Sequence, residues 1–231
     1  MYKLGKDRKE IIMEKLNILI ASGGTIEKID DVRVMTNISS GKLGAQIANK
    51  FLIHGHDVNY VHSKNAIMPN KQYDTNCFSW KVSNADSVMK IMEILVREAD
   101  AVIMPMAVSD FTFEYEGAIK CGSNSAEDFI EHMRKTIKPT PKIISHFRAW
   151  NPNAFMVGFK FTSGKTIEEV QKIAKDLLIA NKLDAVFAND KEQMKNAGLH
   201  CGYLITKDSY VFCEGKYEIV DAIYETVIKE G

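Results

Sequence analysis

Ser39-Ser40-Gly41 stands just before Leu43, Ile47, Ala48, Phe51 and Leu52, apolar residues spaced along one face of a helix. Free backbone N–H groups at such a helix start, with serine hydroxyls beside them and a glycine that carries no Cβ, suit a phosphate or carboxylate resting on the positive end of the helix dipole. Upstream, Asn17–Ala21 reads as a buried parallel strand, and Gly23-Gly24 permits the sharp turn and close backbone approach that a bound group needs. Asp110 follows the hydrophobic run Ala101–Met106, at the place where open α/β sheets bind ligands. Taken singly, these residues have ordinary explanations as a capped helix, a tight turn and a helix-capping aspartate. Together they outline an anion site at one end of a sheet.

The elements that must position these residues alternate in type. A helix over Leu43–His54 is followed by a strand at Asp57–His62, a loop containing Pro69, a helix from Asn84 to Arg97 and a buried strand at Ala101–Met106. Between Asp110 and Pro139 the pattern loosens around Lys120, with a helical stretch near Phe129–Lys135, and a mobile loop over the site is the expectation. Phe155–Phe159 and Asp184–Ala188 read as further strands joined by a crossover helix over Ile167–Asn181. Gly202–Thr206 and Tyr210–Glu214 flank a short Lys-Asp-Ser turn as a hairpin, and Tyr217–Lys229 closes the chain as a helix. This order predicts an α/β fold, Rossmann-like and doubly wound, with a mostly parallel sheet and a C-terminal β-hairpin. No linker divides residues 16–231, which are expected to form a single domain. Residues 1–15 form an N-terminal extension that is a candidate for disorder, and Met13 is a second candidate start.

Composition excludes several classes of function. The chain has 231 residues, 45% of them hydrophobic, and its 30 basic residues balance 30 acidic ones. Neutrality gives no electrostatic reason to expect nucleic acid or an anionic membrane as partner. Cys77, Cys121, Cys201 and Cys213 show no paired spacing and read as reduced thiols; with no signal peptide or membrane-length apolar run, a cytoplasmic location is expected. His54 and His56 straddle Gly55 without a carboxylate or cysteine at metal spacing, so no direct protein metal ligand is assigned. A nicotinamide-dependent reductase would want Gly-x-Gly-x-x-Gly after the first strand and an acidic residue at the end of the second. Here stand Gly23-Gly24-Thr25 and His62-Ser63-Lys64. Tyr203 and Lys207 have a reductase-like spacing but fall in a hairpin strand, which does not present them as a helix would.

The run from Asn17 to Gly44 resembles the opening of the phosphopantothenate–cysteine ligase family, the phosphopantothenoylcysteine synthetases of coenzyme A biosynthesis. Ser22, Gly23, Gly24, Thr25, Glu27, Ile29, Asp30, Val32, Arg33, Thr36, Asn37, Ser39, Ser40, Gly41 and Gly44 meet its pattern. Further blocks stand as Ala107–Phe111, Thr140–Ile144, Gly158-Phe159-Lys160 and Ala188-Asn189-Asp190, in the family's order.

The resemblance implies ligation of L-cysteine to 4′-phosphopantothenate through nucleotidyl activation of the carboxylate. It also implies Mg²⁺, a nucleoside triphosphate co-substrate (CTP favoured, ATP the alternative) and a homodimer. Asn37 matches the asparagine that contacts the acyl part of the activated intermediate, and Lys120 is the nearest candidate for a catalytic lysine. Gly24, Arg33, Ser39, Ser40 and Gly41 are expected at the substrate. Met104, Pro105, Met106, Asp110, Pro141, Lys142, Ile143, Ile144, Phe159 and Lys160 are expected at the nucleotide. Two departures stand out. The lysine-rich run that bacterial bifunctional members carry after the aspartate is here Ala118-Ile119-Lys120-Cys121. The two lysines those members place before the Ala-Asn-Asp block are here Leu177 and Asn181, with Lys175 or Lys182 as candidate substitutes. The flavin-dependent decarboxylase half is absent from this chain, so a stand-alone ligase needing no FMN is expected. A nicotinamide-dependent reductase and a non-catalytic nucleotide-binding subunit are the alternatives.

Overall fold

A computed structural model describes residues 14–114 and 125–230 of the chain. The first strand, β1 (Asn17–Ser22), is followed by two short strands, β2 (Ile26–Lys28) and β3 (Val34–Thr36), and then by helix α1 (Lys42–Ile53). Next come β4 (Asp57–Ser63), β5 (Cys77–Val82), α2 (Ala85–Leu95) and β6 (Ala101–Ile103). An excursion comprises β7 (Phe111–Phe113), α3 (Ala126–Thr136) and β8 (Ile137–Pro139), after which a single turn, α4 (Phe147–Trp150), leads to β9 (Phe155–Thr162). The rest runs α5 (Ile167–Asn181), β10 (Ala185–Asp190), α6 (Lys191–Ala197), β11 (Cys201–Thr206), β12 (Tyr210–Glu214) and α7 (Gly215–Glu230).

Eight strands form one sheet in the order β12-β11-β10-β9-β6-β1-β4-β5. The six strands from β10 to β5 are parallel neighbours, whereas β11 and β12 add antiparallel at one edge. From β5 to β10 the sheet follows the doubly wound order 3-2-1-4-5-6, and the winding reverses between β1 and β6. The α/β class, the parallel sheet and the C-terminal hairpin expected from sequence are therefore present.

Side-chain alternation explains why the sheet is covered on both faces. Along β1, Ile18 and Ile20 enter a core with Ile47 and Phe51 of α1 and Ile219 and Ile223 of α7. Leu19 and Ala21 point the other way, into a core with Val88 and Met92 of α2 and Val170 and Ala174 of α5. Each fully buried aliphatic side chain contributes about 1.5–3 kcal/mol. The apolar faces of α2 and α5 begin at reciprocal caps, Asn84 with Ser87 and Thr166 with Glu169.

Several elements differ from the sequence expectation. β5 is an edge strand whose middle four residues are exposed, so it lacks the buried apolar run that marks the other strands. β6 stops at Ile103, two residues before Pro105, which has no N–H to offer a sheet ladder. The described part of the Asp110–Pro139 excursion is ordered by pairing of β7 with β8, Phe111 opposite Pro139, rather than left as an open loop. Residues 1–13 of the N-terminal extension and residues 115–124, including Lys120 and Cys121, lie outside the described residues.

Candidate functional site

A cavity of about 790 Å³ opens at the carboxyl end of the parallel strands, between β1 and β6. Topology dictates this position, because the chain leaves β1 and β6 in opposite directions and the diverging connections leave a crevice. Ser39, Ser40 and Gly41 line it from the segment leading into α1, and Met104, Pro105 and Met106 line it from the segment after β6. Asp110 follows on the same side, and Pro141, Lys142, Ile143 and Ile144 line the cavity from the stretch after β8. Phe159 and Lys160 complete the set from β9. Residues scattered over more than a hundred positions of sequence thus share one lining.

The start of α1 differs in detail from the serine cap expected. Its N-cap is Gly41, left-handed at φ 70°, with no side-chain capping bond; Ser40 Oγ accepts only a long contact, 3.4 Å, from the Lys42 amide. The first turn therefore faces the cavity with its amides largely unclaimed by side chains. Close approach of α1 to the sheet depends on Gly44, where a Cβ would stand 2.7 Å from Ser22 Cβ and 2.3 Å from its Oγ. Ser22 in turn donates to the Gly41 carbonyl at 3.0 Å, fixing the helix start against the end of β1.

A network of polar groups, with Thr25, Glu27, Ser109 and Thr140 buried, holds the loops around this opening. Thr25 Oγ1 accepts the Ser109 amide at 2.9 Å, and Thr36 donates to the Thr25 carbonyl at 2.8 Å. Thr140 donates to the Ser109 carbonyl at 2.5 Å, and its amide donates to the Asp110 carbonyl at 3.0 Å. Asp110 and Lys142, both expected at the nucleotide, form an exposed ion pair with each other. Glu27 is buried and accepts from the Ala85 amide at the start of α2 and from the Thr112 hydroxyl on β7, each at 2.8 Å. Sequence reasoning missed Thr25, Glu27, Ser109, Thr112 and Thr140 as a unit. Glu27 and Thr25 were visible only as members of the family pattern, and their partners lie far away in sequence.

Three expected substrate residues lie off the cavity lining. Arg33 pairs with Asp30, Nη2 to Oδ2 at 2.7 Å, and its guanidinium lies 4.5 Å from the ring centre of Phe129 on α3. The turn geometry explains this, because Asp30 also accepts the Arg33 amide at 2.7 Å and so draws the side chain back toward itself. Gly24 packs within the body of the fold: its amide donates to Ser63 Oγ at 3.2 Å, and a Cβ there would stand 2.6 Å from the Asn37 carbonyl oxygen. Asn37 is exposed beside the rim, where Nδ2 donates to the carbonyls of Val108 and Ala107 at 3.2 and 3.4 Å, leaving Oδ1 as its open polar atom. Lys120 lies outside the described residues.

The lining combines apolar and cationic residues. Phe159 packs against Phe187 with ring centres 5.7 Å apart, and Ile144 and Leu177 lie on the same lining. The backbone at Gly158 is closely covered here, since a Cβ would stand 2.7 Å from Leu183 Cδ1 and 3.2 Å from Ile144 Cδ1. Leu177 and Asn181 line the cavity, whereas Lys175 and Lys182 do not, so neither lysine supplies the substitute charge considered from sequence. The charge comes instead from Lys42 and Lys216, which sequence reasoning had passed over, together with Lys160. Burial first, and then the neighbouring Lys42, lower the Lys216 ammonium from its ordinary pKa. His200 is also held low, by burial and then by Lys216, and its Nε2 lies 3.3 Å from the Asn189 amide nitrogen, which donates to the neutral ring.

Among the described residues, no cluster of three metal-ligating side chains occurs, and Asp110 is the one carboxylate on the lining. That donor set fits a Mg²⁺ ion carried mainly by phosphate oxygens and water, with Asp110 as the protein ligand on offer.

Residues 13–226 match the family described as DNA/pantothenate metabolism flavoprotein C-terminal domain. The chain is similar to the Coenzyme A biosynthesis bifunctional protein CoaBC of Methanocaldococcus jannaschii, with 31% identity over 98% of this chain and 53% of the relative. It is also similar to the protein of that name from Thermococcus kodakarensis, with 28% identity over 78% of this chain and 44% of the relative. It thus spans about half the length of these curated relatives. The DNA/pantothenate metabolism flavoprotein from Streptococcus pneumoniae has a similar structure, with a TM-score of 0.80 and 30% identity over 94% of this chain and 100% of that one.

Proposed function

Because the chain belongs to the DNA/pantothenate metabolism flavoprotein C-terminal domain family, we propose that it ligates L-cysteine to 4′-phosphopantothenate, using a nucleoside triphosphate to activate the carboxylate. The observation that carries this reading is the cavity itself, whose lining combines a helix start without a side-chain cap, the lysines Lys42, Lys160 and Lys216, and the apolar residues Ile144, Phe159 and Leu177. A nucleotide can use both kinds of group, with polyphosphate at one end and a flat base at the other.

The chemistry requires activation because a carboxylate does not react with an amine near neutrality. A carboxylate oxygen of 4′-phosphopantothenate attacks the α-phosphorus, the bond between α- and β-phosphates breaks, and pyrophosphate leaves. The cysteine amine then attacks the acyl carbon, the acyl–oxygen bond to the nucleoside monophosphate breaks, and the amine gives up a proton as the amide forms. Both steps place developing charge on phosphate oxygens, where the N–H groups of α1 and fixed lysines stabilise it. Mg²⁺, when bound with the triphosphate, would offset phosphate charge and help orient it. Phe159, Ile144 and Leu177 supply the surface for the base. In this reading the Asn37 Nδ2, released from the loop carbonyls, donates to an acyl oxygen, its open Oδ1 accepts from the incoming cysteine amine, and Lys120 is the catalytic lysine that the family resemblance implies.

CTP is the favoured co-substrate and ATP the alternative. A homodimer belongs to the same reading, and the edge strand β12, with Tyr210, Val211 and Phe212 exposed, offers one surface for it. The nicotinamide alternative is disfavoured because β2 and β3 intervene between the Gly23-Gly24 turn and α1, so the turn does not feed the helix directly as a dinucleotide fingerprint requires.

The test is pyrophosphate release with Mg²⁺ and 4′-phosphopantothenate, comparing CTP with ATP, with and without cysteine, and with the product identified by mass. Cysteine-dependent phosphopantothenoylcysteine with one nucleotide preferred is the expected result. Absence of product from folded protein with either nucleotide would reject the ligase and favour a nucleotide-binding subunit.

A further inference from the structure

Lys216 is brought to the cavity lining by tertiary contacts remote from the motifs. β12 ends at Glu214, Gly215 turns the chain at φ 83°, and its amide donates to the His200 carbonyl at 2.9 Å, so the first turn of α7 is fixed beside the start of β11. The body of α7 then packs along α1 through Phe51 and Tyr224, with ring centres 5.1 Å apart, and through the Lys50–Asp221 ion pair at 2.8 Å. This alignment brings the first turns of the two helices to the same opening and places Lys216 near Lys42. Two ammonium groups are thereby held where they repel each other.

Among the described residues, neither ammonium has an ion pair or hydrogen bond with a protein group. The one carboxylate on the lining, Asp110, is already paired with Lys142. Like charges gathered without a counter-charge are a cost to the fold, offset when an anion binds. A single carboxylate would leave most of the charge of Lys42, Lys160 and Lys216 unbalanced, whereas a polyphosphate can meet all three.

We propose that Lys216 and Lys42 form a polyphosphate-binding pair, in which a residue of the C-terminal helix, outside every family motif recognised in the sequence, grips the β- and γ-phosphates of the nucleotide. The proposal rests on the ligase reading for the identity of the nucleotide, but the anion site can be tested without it.

The experiment is titration calorimetry of the full chain with inorganic tripolyphosphate and, separately, with inorganic phosphate. The variants are Lys216→Met, Lys216→Arg, Lys42→Met and, as a control on the exposed Lys172–Asp176 pair of α5, Lys172→Met. Removing one charge-assisted contact is expected to weaken tripolyphosphate binding about tenfold in Lys216→Met and Lys42→Met, with near-wild-type binding in Lys216→Arg and Lys172→Met. Thermal melts of each variant verify that the fold is kept. No binding of tripolyphosphate by wild type, no loss in either Met variant, or an equal loss for inorganic phosphate would overturn the polyphosphate pair. Loss of tripolyphosphate binding in a protein that makes no phosphopantothenoylcysteine would leave the pair standing and remove the ligase. Normal ligation with unchanged tripolyphosphate binding in both Met variants would do the reverse.

Discussion

Replacing Glu27 by Ala should destabilise the protein more than any exposed substitution, and its cost can be built from the contacts seen. The carboxylate is 1% exposed and accepts two hydrogen bonds of 2.8 Å, one from the Ala85 amide and one from the Thr112 hydroxyl. A hydrogen bond to a charged group is worth about 1.5–3 kcal/mol, and truncation also leaves the two donors unpaired. A carboxylate at a helix start adds about 0.3–1 kcal/mol. Some of this returns as water enters the gap, so the expected loss for Glu27→Ala is about 3–5 kcal/mol. Glu27→Gln keeps an acceptor for the Ala85 amide while the Thr112 hydroxyl can rotate to accept from the new amide, and should cost only about 1 kcal/mol. Equilibrium urea unfolding is the assay; with a slope of about 3 kcal/mol/M for a chain of this size, Glu27→Ala should lower the midpoint by roughly 1–1.7 M. A cycle with Thr112→Val should show a coupling of about 1–2 kcal/mol. A Glu27→Ala midpoint within about 0.3 M of wild type, or additive effects in the cycle, would refute the account of Glu27 as the tie between α2 and the β7–β8 excursion.

The other predictions concern charge, packing and the rim. Asp190 is buried; burial alone would raise its carboxyl, but the Lys165 amide, the Thr162 hydroxyl and the Glu192 and Gln193 amides prevail and bring it to about 2 from an ordinary 3.8. The depressed value means that its contribution to stability is complete above about pH 4 and is lost as pH falls toward 2. Melting temperatures of wild type and Asp190→Asn should therefore differ at pH 6 and converge between pH 4 and 2, and a constant gap would refute the assignment. His56 is buried, with its pKa lowered by burial and then by His54, so stability should also decline as pH falls below 6.5; in His56→Gln that limb should flatten, which urea midpoints at pH 7.5 and 5.5 would register. Gly44→Ala places a Cβ 2.7 Å from Ser22 Cβ, which cannot swing aside as a long side chain would; a loss of about 1–3 kcal/mol is expected, together with weaker nucleotide binding as the start of α1 shifts. Asn37→Asp should keep nucleotide affinity but slow amide formation, because a charged acceptor replaces the Nδ2 donor that the mechanism directs at an acyl oxygen; wild-type turnover would remove Asn37 from the mechanism.

Much of the fold was legible because burial writes itself into residue order. β1, β10 and the hairpin β11–β12 were readable as apolar or alternating runs, and the crossover helix expected over Ile167–Asn181 is α5. β5 was not, since an edge strand with an exposed middle carries no such run, and neither were the three-residue strands β2, β3, β7 and β8, whose pairing depends on partners distant in sequence. For the site, the motif residues after β6, before α1 and in β9 were readable by type and resemblance, and the sheet topology gathers them on one lining.

The sequence by itself determined the periodicities, the glycines at crowded positions and the family to which the pattern points, since each is a local property of residue type and spacing. Only the tertiary structure decided what faces the opening. It turned Arg33 back onto Asp30, engaged the Asn37 amide with carbonyls some seventy residues away, joined Asp110 to Lys142, and brought Lys216 to Lys42 through the packing of α7 on α1. Side-chain charge is written in the sequence, but its neutralisation is a matter of distance, and distance is set by which elements pack together.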